Sequence, residues 1–141
     1  MTNDQLTSTV EFQVRFSEVD LLGIIWHGHY VKYMEEGRED FGRKFGISYL
    51  QIKAEGFMAP VVRINCDFKK TLSYEDTVIV ETRYVNSPAA KITYAFRIFR
   101  GSDKALIATG ESIQVFLDKN NELVLTIPPF FADWKKKWGL S

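Results

Sequence analysis

A single cysteine, Cys66, rules out an intrachain disulfide framework in these 141 residues. A lone thiol fits a reducing, cytoplasmic setting. It sits between Asn65 and Asp67 in an alternating tract, the pattern of a core thiol on a strand rather than of an activated nucleophile. Charge of one sign is also missing: 18 Lys and Arg balance 18 Asp and Glu. Net neutrality excludes a general pull toward nucleic acid or an anionic membrane surface. No apolar run approaches the roughly 18 residues that a membrane helix needs. The opening M-T-N-D-Q-L-T-S is polar, without the apolar stretch of a signal peptide. Histidine is scarce, with only His27 and His29. Together with Asp20 they invite a metal reading, but two histidines and an acid do not make a closed structural ligand set.

What is present is concentrated in residues 20–45. Asp20 opens a loop that contains Gly23. From Tyr30 the bulky residues fall at Tyr30, Tyr33, Met34, Phe41 and Phe45, the three-and-four spacing of one helix face. Gly37 shares that face, which signals close packing against another element. Lys32, Glu35, Glu36, Glu39, Asp40 and Lys44 make the opposite, solvated face, and Gly46 is placed to cap the helix. An acid-bearing loop thus runs into a helix N-terminus, where unpaired N–H groups can receive developing negative charge.

Around this stretch the chain alternates. Residues 10–16 read as a strand with Val10, Phe12, Val14 and Phe16 on one side. Residues 59–69 set Val62, Ile64, Cys66 and Phe68 against Arg63, Asn65, Asp67 and Lys69. Residues 77–86, 91–100 and 105–117 give three more strands separated by short turns. Residues 48–56 read as a connector with room for a helical turn. Pro128 and Pro129 precede F-F-A-D-W-K-K-K-W, a good helix start. The length suits one domain over residues 1–141. One strand, a long helix, then four strands joined by turns argues against a doubly wound parallel sheet. The expected class is α+β: one long central helix wrapped by a curved antiparallel sheet of five or more strands. Such a sheet leaves an edge that needs a partner, which predicts a homodimer or homotetramer with each Asp20 loop near residues 60–63 of the partner copy.

The tract V-R-F-S-E-V-D-L-L-G-I-I-W-H-G-H-Y-V-K-Y-M-E-E-G-R resembles the opening motif of the 4-hydroxybenzoyl-CoA thioesterase family of hot dog fold acyl-CoA thioesterases. P-V-V-R-I-N-C-D-F-K-K-T-L-S-Y-E-D-T-V-I-V-E-T continues the likeness downstream. The resemblance implies a hot dog fold, hydrolysis of an acyl-CoA to a carboxylic acid and free CoA, and no prosthetic group, with coenzyme A entering as part of the substrate. Acyl carrier protein is the alternative thiol carrier. Asp20 matches the family's catalytic aspartate, Gly23 its loop glycine and His27 the position at the helix entrance. Phe16 stands where some members carry tyrosine, and His29 where asparagine or serine is common.

Thioester hydrolysis needs an activated water or a carboxylate at the carbonyl, and donors for the oxyanion. Asp20 can serve as general base or nucleophile; as a loop residue it can equally form an Asx turn. His27 can contact the carbonyl, and the N–H groups of His27, Gly28 and His29 are candidate oxyanion donors. Phe16, Ile24, Trp26, Tyr30, Val61 and Val62 are the candidate acyl pocket. Arg63 and Lys91, with Lys69 and Lys70 beside them, are candidates for the coenzyme A phosphates. Glu36 is the alternative acid. The rival activities are an enoyl-thioester hydratase or dehydratase on the same fold, and a non-catalytic acyl-CoA binding module.

Overall fold

The structure is a computed structural model that describes residues 6–140. Five strands form one antiparallel sheet: β1 (Thr7–Gln13), β2 (Val61–Phe68), β3 (Thr77–Val85), β4 (Lys91–Arg100) and β5 (Leu106–Val115). Their order is β1-β3-β4-β5-β2, so β1 and β2 are the two edges. The long helix α1 (His29–Phe45) crosses β1 and β3 and reaches β4. The short α2 (Tyr49–Ala54) follows it, and α3 (Pro129–Lys137) closes the chain. The expected α+β hot dog architecture is present.

The stripe predicted on α1 is buried: Tyr30, Tyr33, Met34, Gly37 and Phe41 face the sheet. They meet Val78, Val80, Thr82 and Tyr84 of β3, all fully buried, as the alternation required. A Cβ on Gly37 would collide with Thr82 Oγ1 and lie 2.7 Å from Val80 Cγ1, so helix and sheet approach too closely for any side chain there. Gly46 takes a left-handed φ of 79° and ends α1 through a bond to the Gly42 carbonyl. Beyond it, the indoles of Trp134 and Trp138 donate to the Phe45 carbonyl at 2.7 and 3.2 Å, tying α3 to the helix end. Residues 48–56 hold a six-residue helix, with Ser48 and Gln51 forming a reciprocal capping box.

Two strands depart from the pattern. β1 lies three residues earlier than the alternation suggests. Gln13 pairs with Thr77, the first residue of β3, so the partner strand has run out before residue 14. Phe16 then enters a 3₁₀ turn (Phe16–Glu18) and is 74% exposed rather than pointing inward. In β2 a bulge between Val61 and Arg63 interrupts the register with β5. The extra residue turns Val62 outward, at 58% exposed, while Ile64 and Cys66 stay half-buried.

Candidate active site

Residues 19–25 form a small hairpin. Val19 bridges Ile25, the Asp20 N–H donates to the Ile24 carbonyl at 2.8 Å, and the Gly23 N–H donates back to the Asp20 carbonyl at 3.0 Å. Gly23 has φ 79°, a conformation that disfavours a side chain and lets the loop turn. Asp20 Oδ1 accepts the Leu22 N–H at 2.8 Å, an Asx turn. That turn uses Oδ1 alone, and Asp20 is exposed. The Asx turn expected as one of its two readings is thus formed, and it holds the carboxylate by one oxygen.

The foot of the hairpin is fastened twice. The Ile25 N–H donates to the Leu72 carbonyl at 2.9 Å, and the Trp26 N–H to the Glu18 carbonyl at 3.2 Å. His27 and Gly28 follow at once, and α1 begins at His29. The His29 N–H is already bonded to the Trp26 carbonyl at 3.0 Å, which removes it from the expected donor set. No backbone bond of this kind engages the His27 or Gly28 N–H among the described residues. Gly28 caps the helix with no side-chain partner, and a Cβ there would collide with the Trp26 ring. The indole thus lies directly over the helix entrance.

Aromatic rings gather at this point. The His27 ring is 4.9 Å from Trp26 and 6.3 Å from Phe68; Tyr30 is 5.2 Å from Phe68; His29 is 5.6 Å from Trp26. His29 Nδ1 is buried without a partner among the described residues. Burial raises the Tyr30 hydroxyl above its ordinary pKa. Phe68, half-exposed, was not among the expected pocket residues, although the alternation of β2 placed it on the inner face.

The other expected site residues scatter. Ile24 is half-buried in the hairpin and bridges Ser73. Phe16 packs edge-on against Tyr74, 5.5 Å away, on the outside. Val61, Val62 and Arg63 occupy the opposite end of β2 from Phe68, on the order of 17–23 Å along the strand at about 3.3 Å per residue. Lys91 pairs with Val115 at that same far end. Within one protomer the two groups therefore lie apart, as the expectation that residues 60–63 meet the Asp20 loop of a partner copy requires. At the far end lies a cavity of about 380 Å³ between α1, α2 and the sheet. It is lined in part by Glu35, Arg38, Ile52, Tyr94 and Val61. Glu36 is exposed on the solvated side of α1 and does not line it.

A buried acid escaped the sequence reading. Glu18 is 5% exposed; its Oε1 accepts the Tyr33 hydroxyl and the Arg15 N–H, both at 2.8 Å, and Arg15 Nη1 lies 3.5 Å from Oε2. Burial first, and then the bond to Glu18, hold the Tyr33 hydroxyl far above its ordinary pKa. Cys66 is free, and burial raises its thiol, which disfavours the thiolate. Among the described residues no three His, Cys, Asp or Glu side chains gather as a metal site would require. No described helix is long and apolar enough to cross a membrane.

The family model described as thioesterase-like superfamily matches residues 14–135. The chain belongs to that superfamily. Its relatives include the Bacillus subtilis protein YneP, provisionally named an acyl-CoA thioesterase, which is 31% identical over 127 residues, 90% of this chain and 91% of that one. A solved DHNA-CoA thioesterase from Staphylococcus aureus superposes with a TM-score of 0.83 at 27% identity, covering 94% of this chain and 89% of that one. The structure of 4-hydroxybenzoyl-CoA thioesterase from Pseudomonas sp. strain CBS-3 superposes with a TM-score of 0.79 at 24% identity, covering 92% and 97%, and speaks for the shared fold. Superfamily membership makes the chain a thioester hydrolase and places the Asp20 hairpin and α1 within the matched region.

Proposed function

We propose that this protein hydrolyses the thioester of an acyl-CoA, with Asp20 as general base or nucleophile and the entrance of α1 as the oxyanion site. The observation that carries this reading is the hairpin itself. Its foot, the Trp26–Glu18 bond, sets Asp20 near the start of the loop and His27 immediately beyond its end. On this reading a carboxylate held by one oxygen works together with the N–H groups of His27 and Gly28. Water activated by Asp20, or the carboxylate itself, attacks the carbonyl carbon. The oxyanion receives N–H donors, each worth roughly 10²–10³ in rate for such sites, and the CoA thiolate leaves. No prosthetic group is required; coenzyme A enters with the substrate, and a cytoplasmic setting suits free Cys66.

The second half of the site is supplied by a second copy. β2 is an edge strand with exposed Val62 and Phe68, and an open apolar edge is stabilised by pairing. Antiparallel pairing of two β2 strands about a two-fold at Asn65 sets Phe68 of one copy opposite Val62 of the other, since directly opposed residues share a face. Val61, Val62 and Arg63 of one copy then approach the His27 cluster of its mate. This dimer, or a tetramer built from it, gives two sites per pair. A solution mass near the 16.3 kDa of one chain would contradict it.

The test of activity is thiol release from acetyl-, hexanoyl-, palmitoyl- and benzoyl-CoA, with crotonoyl-CoA followed in parallel for loss of the enoyl double bond. Release of free CoA from at least one member is expected. Loss of the double bond without thiol release would support the hydratase reading, and binding without either would support a binding module.

A further inference from the structure

The Asp20 hairpin is joined to the rest of the protein at few points, and one of them is a buried pair with no evident chemical role of its own. Glu18 stands two residues before Asp20 and makes three attachments at once. Its carboxylate takes the Arg15 N–H, which holds the incoming chain. The same oxygen takes the Tyr33 hydroxyl, which holds α1. Its carbonyl takes the Trp26 N–H, which holds the outgoing chain one residue before His27. Tyr33 is 1% exposed and wedged between Phe12 at 5.1 Å and Tyr30 at 5.8 Å, so its hydroxyl is delivered from a fixed ring. Asp20, by contrast, makes its hydrogen bonds within its own hairpin, to Leu22, Gly23 and Ile24.

We propose that the Glu18–Tyr33 hydrogen bond is a positioning latch: it sets the Asp20 hairpin against the entrance of α1, so that Glu18 and Tyr33 act on catalysis through Asp20 rather than by touching substrate. This rests on the reading of Asp20 as the catalytic acid. The physical argument is one of leverage. The hairpin tip is exposed, with Leu21 and Leu22 in solvent, so nothing at the tip fixes its direction. The direction is set at the foot, where Glu18 binds the incoming chain, the helix and the outgoing chain together. The second foot contact, Ile25 to the Leu72 carbonyl, holds the hairpin to residues 72–73 and not to α1. Loss of the Tyr33 hydroxyl leaves the ring packing, the Glu18–Arg15 contacts and the Trp26–Glu18 backbone bond in place, but removes the side-chain link that ties the hairpin foot to the body of α1. A displacement of an ångström at a reacting group costs up to about 10²-fold in rate.

The experiment compares Tyr33→Phe, Glu18→Gln and the double variant with wild type and Asp20→Asn. The probe is the best-hydrolysed member of the acyl-CoA panel, and kcat and KM are measured well below the unfolding temperature of each protein. The latch predicts that Tyr33→Phe lowers kcat by about 10- to 100-fold while KM stays within about two-fold, because coenzyme A binding does not depend on the hairpin direction. It predicts that the double variant is no slower than the slower single variant, since both remove one link. A purely structural pair predicts lower melting temperatures with kcat within about two-fold of wild type, and that result overturns the latch while leaving the Asp20 reading intact. Tyr33→Phe keeps the ring, so it provides the decision if Glu18→Gln does not fold. An active Asp20→Asn would overturn both readings, which keeps the two failures distinct.

Discussion

His27 offers a substrate two things, an imidazole and a backbone N–H. Only the first is lost in His27→Ala, and the chain turn that presents the second is held by the Trp26–Glu18 and Tyr30–His27 backbone bonds. The expected kcat of His27→Ala is therefore lower than wild type but well above that of Asp20→Asn; a loss equal to that of Asp20→Asn would show the imidazole in direct contact with the reacting atoms. Part of this site was legible in the sequence. Asp20, His27 and Gly28 were singled out by the motif, and the Asx turn was foreseen as Asp20's bland role. Glu18 was not legible. Reading residues 10–16 as strand left it beyond the strand end with no assigned partner, whereas its burial comes from a 3₁₀ turn and a tyrosine fifteen positions away. The separation of Val61, Val62 and Arg63 from Trp26 and Tyr30 within one protomer agrees with the expectation that residues 60–63 serve the Asp20 loop of a partner copy, although the distance itself is a property of the folded sheet.

At the scale of elements, local periodicity succeeded where the partner was also regular. α1 was visible because its apolar stripe and its Gly46 cap agree, and β4 because every one of its residues is paired with β3, β5 or both. The end of β1 and the bulge in β2 were set by the strands beside them, so alternation alone misplaced Phe16 and Val62. Gly37 is the clearest link from sequence to packing. Alanine at this position gains roughly 1 kcal/mol of helix propensity, but its Cβ meets Val80 and Thr82, and overpacking of this kind costs about 1–3 kcal/mol. Gly37→Ala should be mildly destabilised and Gly37→Val more so, as read from urea unfolding midpoints. A Gly37→Val protein as stable as wild type would show that α1 can lift from β3 without cost.

The whole molecule carries a pH dependence from its buried tyrosines. Burial raises Tyr30, Tyr33 and Tyr94 and pushes Tyr84 up to about 12. An unfolded chain loses these protons near pH 10, before the folded one does. The folded state therefore binds more protons above that pH, and stability falls as pH rises. Urea midpoints should be unaffected by these groups up to about pH 9 and decline between about pH 10 and 12. Tyr84 is the cleanest probe, since its hydroxyl is buried without a partner among the described residues. Tyr84→Phe should leave stability at pH 8 unchanged or improved and make the alkaline decline shallower; an unchanged decline would remove Tyr84 from its causes. Activity is the other property of the whole molecule, because the proposed site draws on hairpin, helix entrance and second copy together. The most direct measurement is kcat of Asp20→Asn on the best acyl-CoA of the panel, with binding of that acyl-CoA measured in parallel. Asparagine keeps the size of aspartate and the acceptor for the Leu22 N–H, so the hairpin survives and binding is retained. It cannot take a proton from water and is a very poor nucleophile, so kcat should fall by at least about 10²-fold. A variant that binds normally and keeps more than about a tenth of wild-type kcat, less than the weakest effect of this kind, would contradict the assignment of Asp20.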